Sequence, residues 1–386
     1  MVADAAAAGR QRAAARNGVT APPPAGGLGL PSAPDQSDRG ADLGDVFRRL
    51  ITNTGPISLM HYIAESNARY YTGKDPLGVT GDFITAPEIS QMFGEMIGLW
   101  LADLHGRSGH AGPVHYVELG PGRGTLAADA LRVMRRFGID PQVHFVETSP
   151  ALRGAQQRAV PQAQFHDDLA DLPADAPMLL VANEFLDALP VRQLVRAEAG
   201  WRERMVALRD GEFVCVAGSL AMDAAVPEDR RDAEMGAIIE TSPAAATVVE
   251  EVAARLAAQG GAALFIDYGY AEPRFGSSLQ AVRAHNKVDP FAAPGEADLT
   301  TLVDFAAAAE VAQAHGARWL GTEPQGDWLR ALGINQRAQA LGAASPDQAG
   351  DIAVALDRLT AEDQMGELFK VMGLVASGWP DGAGFA

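Results

Sequence analysis

From Val114 onward, short apolar runs alternate with helical segments. The runs are Val114 to Leu119, Val143 to Val146, Met178 to Ala182 and Ala262 to Ile266. A helical pattern fills Leu126 to Phe137, and another fills Ala244 to Ala258 just before the fourth run. Strands buried on both faces read as continuous apolar runs, so the alternation predicts βαβ units in a mostly parallel sheet with helices on both faces. Residues 191 to 217 break the rhythm. Val191 to Ala197, Trp201 to Leu208 and Phe213 to Val216 read as antiparallel strands turned at Ala199-Gly200 and Asp210-Gly211, an inserted β lobe. Before the sheet, Ile57 to Arg69 reads as a helix. Ile89, Met92, Phe93, Met96, Ile97 and Trp100 recur at helical spacing on the next one. A stripe of that kind predicts a packing face. After Gly269 the pattern predicts a polar loop, a helix near Leu302 to His315, further helix to about Asp363, and a last strand over Phe369 to Ala376.

These breaks divide the chain. Residues 1–40 are rich in Ala, Pro and Gly and are expected to be disordered. Residues 41–386 form the folded unit. Within it lie an N-terminal helical lid region (41–112), a ligand-binding core (113–190 and 242–270), the β lobe (191–241), and a C-terminal helical region with the last strand (271–386).

Composition narrows the functions. Acidic residues outnumber basic ones 49 to 31, for a formal charge of -18, which argues against nucleic acid as the main partner. Cys215 is the single cysteine, which excludes an internal disulfide and a cysteine-based zinc site. The eight histidines are scattered, so no metal is expected. No run of 18 or more residues is continuously apolar, so no membrane insertion is expected. Arg10, Arg12 and Arg16 among alanines resemble an organelle-targeting pattern, although Asp4 sits early. A bacterial cytoplasmic location is the expectation, or the mitochondrial matrix if the tail is a targeting segment.

One motif carries chemistry. Glu118-Leu119-Gly120-Pro121-Gly122-Arg123-Gly124-Thr125 follows a predicted strand and opens a predicted helix. Its glycines permit a tight turn and let a ligand lie against bare backbone, so a side chain at Gly124 is expected to crowd the ligand. N–H groups at the helix start favour a carboxylate, and Glu118 can hold an ammonium group. That combination suits the methionine part of S-adenosyl-L-methionine. A dinucleotide fold is the competitor, but here the third glycine comes one residue early, and Thr125 stands where that motif has glycine. Glu147, ending the second strand, is placed to accept ribose hydroxyls. Asp167, with Asp168, is placed to meet the adenine amino group. Asn183-Glu184-Phe185-Leu186-Asp187 ends another strand, so Glu184 and Asp187 face the reacting centre, where two acids suit a cationic acceptor. Asp267 is a further acid at the same rim.

The chain resembles the MidA-like methyltransferases, whose mitochondrial members are assembly factors of respiratory complex I. The resemblance rests on Tyr70-Tyr71-Thr72 with Asp75-Pro76-Leu77-Gly78, and on Gly81-Asp82-Phe83-Ile84-Thr85-Ala86-Pro87-Glu88 continuing to Glu95. It extends through Glu118 to Thr125, Asn183 to Pro190, Asp267-Tyr268-Gly269, Pro294 to Thr300 and Val303-Asp304-Phe305, spanning roughly residues 50 to 375. It implies an α/β, Rossmann-like methyltransferase sheet, S-adenosyl-L-methionine as cofactor, and methylation of arginine on a protein, such as a quinone-side subunit of complex I. The site it implies takes Glu184, Asp187 and Asp267 as catalytic. Gly81, Asp82, Phe83, Glu118, Gly120, Gly122, Gly124, Thr125, Glu147, Asp167 and Asn183 are the cofactor-binding set. Tyr270 departs from the pattern, since relatives often carry histidine after Asp-Tyr-Gly. Two alternatives stay open at this point: a non-catalytic assembly factor that keeps the fold, and a small-molecule methyltransferase.

Overall fold

The computed structural model describes residues 42–73, 85–283 and 286–385. The tail over 1–40 and the expected cofactor contacts Gly81, Asp82 and Phe83 lie outside the described residues.

Eight strands make the main sheet; seven form its path, β1 (His115–Leu119), β2 (Gln142–Val146), β3 (Gln164–His166), β4 (Met178–Asn183), β5 (Gly261–Tyr270), β6 (Arg318–Pro324) and β7 (Phe369–Val375), and the two-residue strand Val303–Asp304 pairs beside the end of β5. Their order is β3-β2-β1-β4-β5-β7-β6. The pairs from β3 to β5 are parallel, and β7 runs antiparallel between β5 and β6. Side chains alternate between faces with period two. Leu179, Val181, Leu264 and Ile266 pack on one face with the helix Gln91–Ser108, including Met92, Phe93, Ile97 and Trp100. Leu180, Ala182, Ala263 and Phe265 pack on the other against the helices Pro243–Gln259 and Phe305–Ala314. The fold is thus α/β with both faces of the sheet covered, and the Met and aromatic stripe is core.

The strand order reverses between β1 and β4, which opens a crevice beyond their carboxyl ends. Register makes those ends level. Leu119 pairs with Val146 and with Ala182, and Asn183 pairs with Ile266. Three turns therefore start side by side at Gly120, Glu147 and Glu184, with Asp267 level with them one residue past Ile266 on β5.

A second sheet contains the inserted strands Arg192–Ala197, Gly200–Arg209 and Glu212–Ala221, together with Ile238–Thr241 and the two-residue strand Ile57–Ser58. Asp210 and Gly211 both have positive φ (54° and 85°), as a tight hairpin turn requires. Phe47, Ile51, Tyr62 and Ile63 of the helices Leu43–Thr54 and Leu59–Gly73 bury themselves with Val191, Val206 and Phe213 of this lobe.

Two expectations need correction. Arg318–Pro324 is a strand, not helix. Most of its residues are only partly buried, so it lacks the apolar run that marks the inner strands. The polar loop after Gly269 contains a small sheet of Gln280–Arg283, Asn286–Val288 and Asp298–Thr300. Two of these strands are three residues long and too short to show alternation.

Candidate active site

The turn after β1 is held by three left-handed glycines, Gly120 (φ 59°), Gly122 (57°) and Gly124 (83°). The helix Thr125–Arg136 starts there with no side-chain cap, so its first N–H groups have no partner within the helix. Glu118 is buried (2% exposed) and accepts a hydrogen bond from the Tyr116 hydroxyl at 2.8 Å. Burial pushes its carboxyl up to about 8. A buried acid that meets no cation among the described residues, beside uncapped helix amides, fits a ligand carrying both ammonium and carboxylate.

Glu147 begins the next turn. Its Oε1 accepts from the Ser149 N–H at 2.7 Å and its Oε2 from the Gln156 amide at 3.1 Å, so the carboxylate is fixed in orientation. The same Gln156 amide donates to the Gly122 carbonyl at 2.8 Å, which ties the ribose-facing acid to the glycine turn. Thr125 donates its hydroxyl to Glu88 at 2.6 Å. Asp167 is largely exposed and is held by Arg153 at 2.6 Å, while Asp168 caps the short helix Leu169–Asp171. The Asn183 Oδ1 is buried and has no partner among the described residues.

The glycines call for one correction. A Cβ on Gly124 would meet the Ala159 Cβ at 3.2 Å and the Gln156 Cα at 3.4 Å, and one on Gly120 would meet the Phe185 ring at 2.9 Å. Those spaces belong to the protein's own packing, so these two glycines let helix and turn close around the site.

On the other side, Glu184 adopts φ 49°, a left-handed conformation uncommon outside glycine, with its N–H bonded to the Ile266 carbonyl. Its Oε1 accepts from the Ala86 N–H and from Asn183, both at 3.3 Å. Burial and Asp187 push Glu184 up to about 8. Asp187 is 6% exposed and hydrogen-bonds Tyr268; burial pushes it up to about 6. Asp267 does not line the reacting centre. Its Oδ2 accepts from the N–H groups of Phe185, Leu186 and Asp187 at 2.9–3.2 Å, and its Oδ1 from Tyr268 N–H. Asp267 is a positioning residue that holds the Glu184 turn from beneath.

Sequence reasoning missed several members of the site. Tyr71 donates to Asp298 at 2.9 Å, near Asp187. Asn67 donates to the Ala188 carbonyl at 2.9 Å and to the Leu299 carbonyl at 2.7 Å. Tyr71 and Asp298 stand within the quoted sequence blocks, but nothing in those blocks says that they meet.

The geometry has close counterparts. A family model described as S-adenosyl-L-methionine-dependent methyltransferase matches residues 96–323. The mitochondrial protein arginine methyltransferase NDUFAF7 of Xenopus tropicalis is 33% identical, covering 84% of each chain. Its Drosophila melanogaster homolog is 34% identical, covering 89% of this chain and 87% of its own. A crystal structure from Burkholderia thailandensis, bound to S-adenosyl-homocysteine, superposes with a TM-score of 0.75 at 27% identity, covering 88% of this chain and 93% of that one. The glycine turn, the two acids beside it and these likenesses agree, and the chain belongs to this family of S-adenosyl-L-methionine-dependent methyltransferases.

Proposed function

We propose that the chain methylates arginine on a protein, with Glu184 and Asp187 receiving the guanidinium. The observation that carries this reading is a pair of buried carboxylates beside the cofactor crevice, neither meeting a cation among the described residues. S-adenosyl-L-methionine, when bound, supplies a methyl group on a positively charged sulfur. Glu118, Glu147 and the uncapped helix start would hold it, leaving Glu184 and Asp187 for the acceptor.

A guanidinium is planar and cationic, so two carboxylates can grip it while leaving one nitrogen exposed. An arriving cation lowers both raised acids and stabilises them as anions. Glu184 Oε1 is engaged by Ala86 and Asn183, which leaves Oε2 for the acceptor and for the proton that the nitrogen must lose. The names of the NDUFAF7 relatives support a protein arginine as acceptor. A quinone-side subunit of complex I is the first acceptor to test, and a mitochondrial or bacterial cytoplasmic setting is compatible with that choice.

The test uses purified chain, labelled methyl donor and extract from cells lacking the enzyme. Label is expected on arginine in protein. Glu184→Gln is expected to lower kcat/KM by about tenfold or more, with cofactor affinity kept, since a hydrogen bond to a charge contributes about 1.5–3 kcal/mol. Label on nucleic acid or a small molecule would overturn the reading.

A further inference from the structure

Beyond the acidic pair, on the β5 side of the crevice, lies a cavity of about 320 Å³. Its walls come from three places: Leu186 of the turn after β4, Ile239 of the lobe, and Val303 and Val311 around the helix Phe305–Ala314. Three of the acidic and hydroxyl groups in these walls, Glu240, Asp304 and Ser242, are already engaged. Glu240 accepts from Gln193 and Ser278. Asp304 caps its helix through the Ala307 N–H and also bonds Tyr270, and Ser242 caps the helix Pro243–Gln259. The cavity therefore offers mainly apolar surface, with Arg230 and Glu310 as the further charged residues in its wall.

Apolar character continues outside. Phe275 is 48% exposed and Met235 is 74% exposed. They stand on the two loops that run into the wall residues Pro273 and Ile239, and a hydrogen bond from Gly276 N–H to the Ile238 carbonyl joins those loops at 2.8 Å.

The turn that carries Glu184 and Asp187 toward the acceptor also gives Leu186 to this cavity, and Thr301 in the wall donates its N–H to the Asp187 carbonyl at 3.1 Å. An extended chain advances about 3.3–3.6 Å per residue, and Leu186 belongs both to that turn and to the cavity wall, so a segment crossing the turn reaches the cavity within a few residues of the side chain held by the acids. A volume of about 320 Å³ is at the lower end for ligand pockets, the size of a bulky side chain with its flanking backbone.

We propose that this cavity is a specificity subsite that takes a large apolar side chain of the acceptor protein, a few residues from the methylated arginine. The proposal rests on the arginine reading above. It makes the lobe part of acceptor selection, since Ile239 and the loop that carries Met235 belong to it.

The test uses synthetic peptides with one central arginine, flanked either by alanines or by one phenylalanine at each nearby position in turn. Binding is measured by fluorescence anisotropy in the presence of S-adenosyl-homocysteine, and methylation by label transfer. Ala307→Trp fills the cavity from an exposed helix position, and Val311→Asp places a charge in it. At one or more positions, phenylalanine is expected to tighten binding and lower KM by about tenfold, equal to about 1.4 kcal/mol. Both variants are expected to erase that preference while leaving cofactor affinity and turnover of the alanine peptide unchanged. Equal binding of all peptides to the wild type would overturn the subsite and leave the arginine reading intact. A preference that survives both variants would also overturn it, as would a wild-type dimer that Ala307→Trp dissociates. A flank preference that the variants erase, with label landing on a residue other than arginine, would keep the subsite and sink the arginine reading.

Discussion

Glu118 shows what one residue contributes to the cofactor site. It is an acid held up to about 8 by burial, against an ordinary value of 4.5. A folded pKa above the unfolded one means that the folded state binds more protons between these values. The contribution of Glu118 to the stability of the empty protein therefore falls as pH rises from 4.5 toward 8. A bound ammonium reverses the preference, because it selects the carboxylate. Cofactor binding below pH 8 is thus expected to release a proton, seen in calorimetry as a binding heat that varies with the buffer's ionisation enthalpy. Glu118→Gln is expected to weaken cofactor binding by about tenfold or more, to abolish the proton release, and to leave the empty protein as stable or more so. Proton release that persists in Glu118→Gln would assign it to another group. The acid was legible in the sequence because it directly precedes the glycine turn. The reason for Gly124 was not, since Ala159 and Gln156, which fill the space beside it, lie more than 30 residues away and form no pattern with it.

At the scale of elements, register creates contacts that the chain order conceals. His115 on β1, His144 on β2 and His166 on β3 look unrelated in sequence. Parallel pairing sets His144 opposite Val117 and His166 opposite Val146, so the three imidazoles are diagonal neighbours across the sheet. They form a hydrogen-bonded row: His115 to His144 at 3.0 Å, and His144 to His166 at 3.0 Å. His115 meets the exposed Asp175 carboxylate at 2.9 Å, which fixes the polarity of the row, since the carboxylate can only accept. Each imidazole then donates from Nε2 and all three hydrogen bonds form with neutral rings. Burial and the two flanking histidines lower His144 to about 4. Its folded pKa lies below the unfolded 6.5, so the unfolded chain takes up a proton that the folded chain refuses. The stability from this site is full above 6.5 and is lost as pH falls toward 4. The raised acids pull the net pH dependence the other way, so the site is isolated by difference: between about pH 7.5 and about pH 5, which bracket the unfolded value, the wild type is expected to lose stability in urea unfolding relative to His144→Gln. A stability difference between wild type and His144→Gln that is the same at both pH values would exclude His144 as a source of pH dependence.

At the scale of the molecule, the parallel half of the sheet was legible because its strands are buried on both faces and announce themselves as apolar runs. What the N-terminal helices pack against was not. Their local pattern says only that one face is buried, and the partner is a lobe inserted more than 100 residues later. Those helices also meet the turn after β4 through Asn67, which is 5% exposed. Its amide donates to the carbonyls of Ala188, in the acceptor-side turn, and Leu299, and its Oδ1 accepts from the Leu299 N–H at 3.0 Å. One side chain thus ties the helix Leu59–Gly73 to the turn that carries Glu184 and Asp187. Asn67→Asp keeps the shape but replaces both amide donors with an oxygen facing two carbonyls. Leaving buried acceptors unpaired costs about 1–3 kcal/mol, so the melting temperature is expected to drop by several degrees, about 2–4 °C for each kcal/mol. Glu118 and Glu147 sit on the far side of the crevice, on β1 and beyond β2, and none of their hydrogen bonds passes through Asn67. Cofactor affinity should therefore hold while kcat/KM for the acceptor falls. A cofactor Kd that rises as much as kcat/KM falls would mean that Asn67 supports the whole crevice rather than its acceptor side.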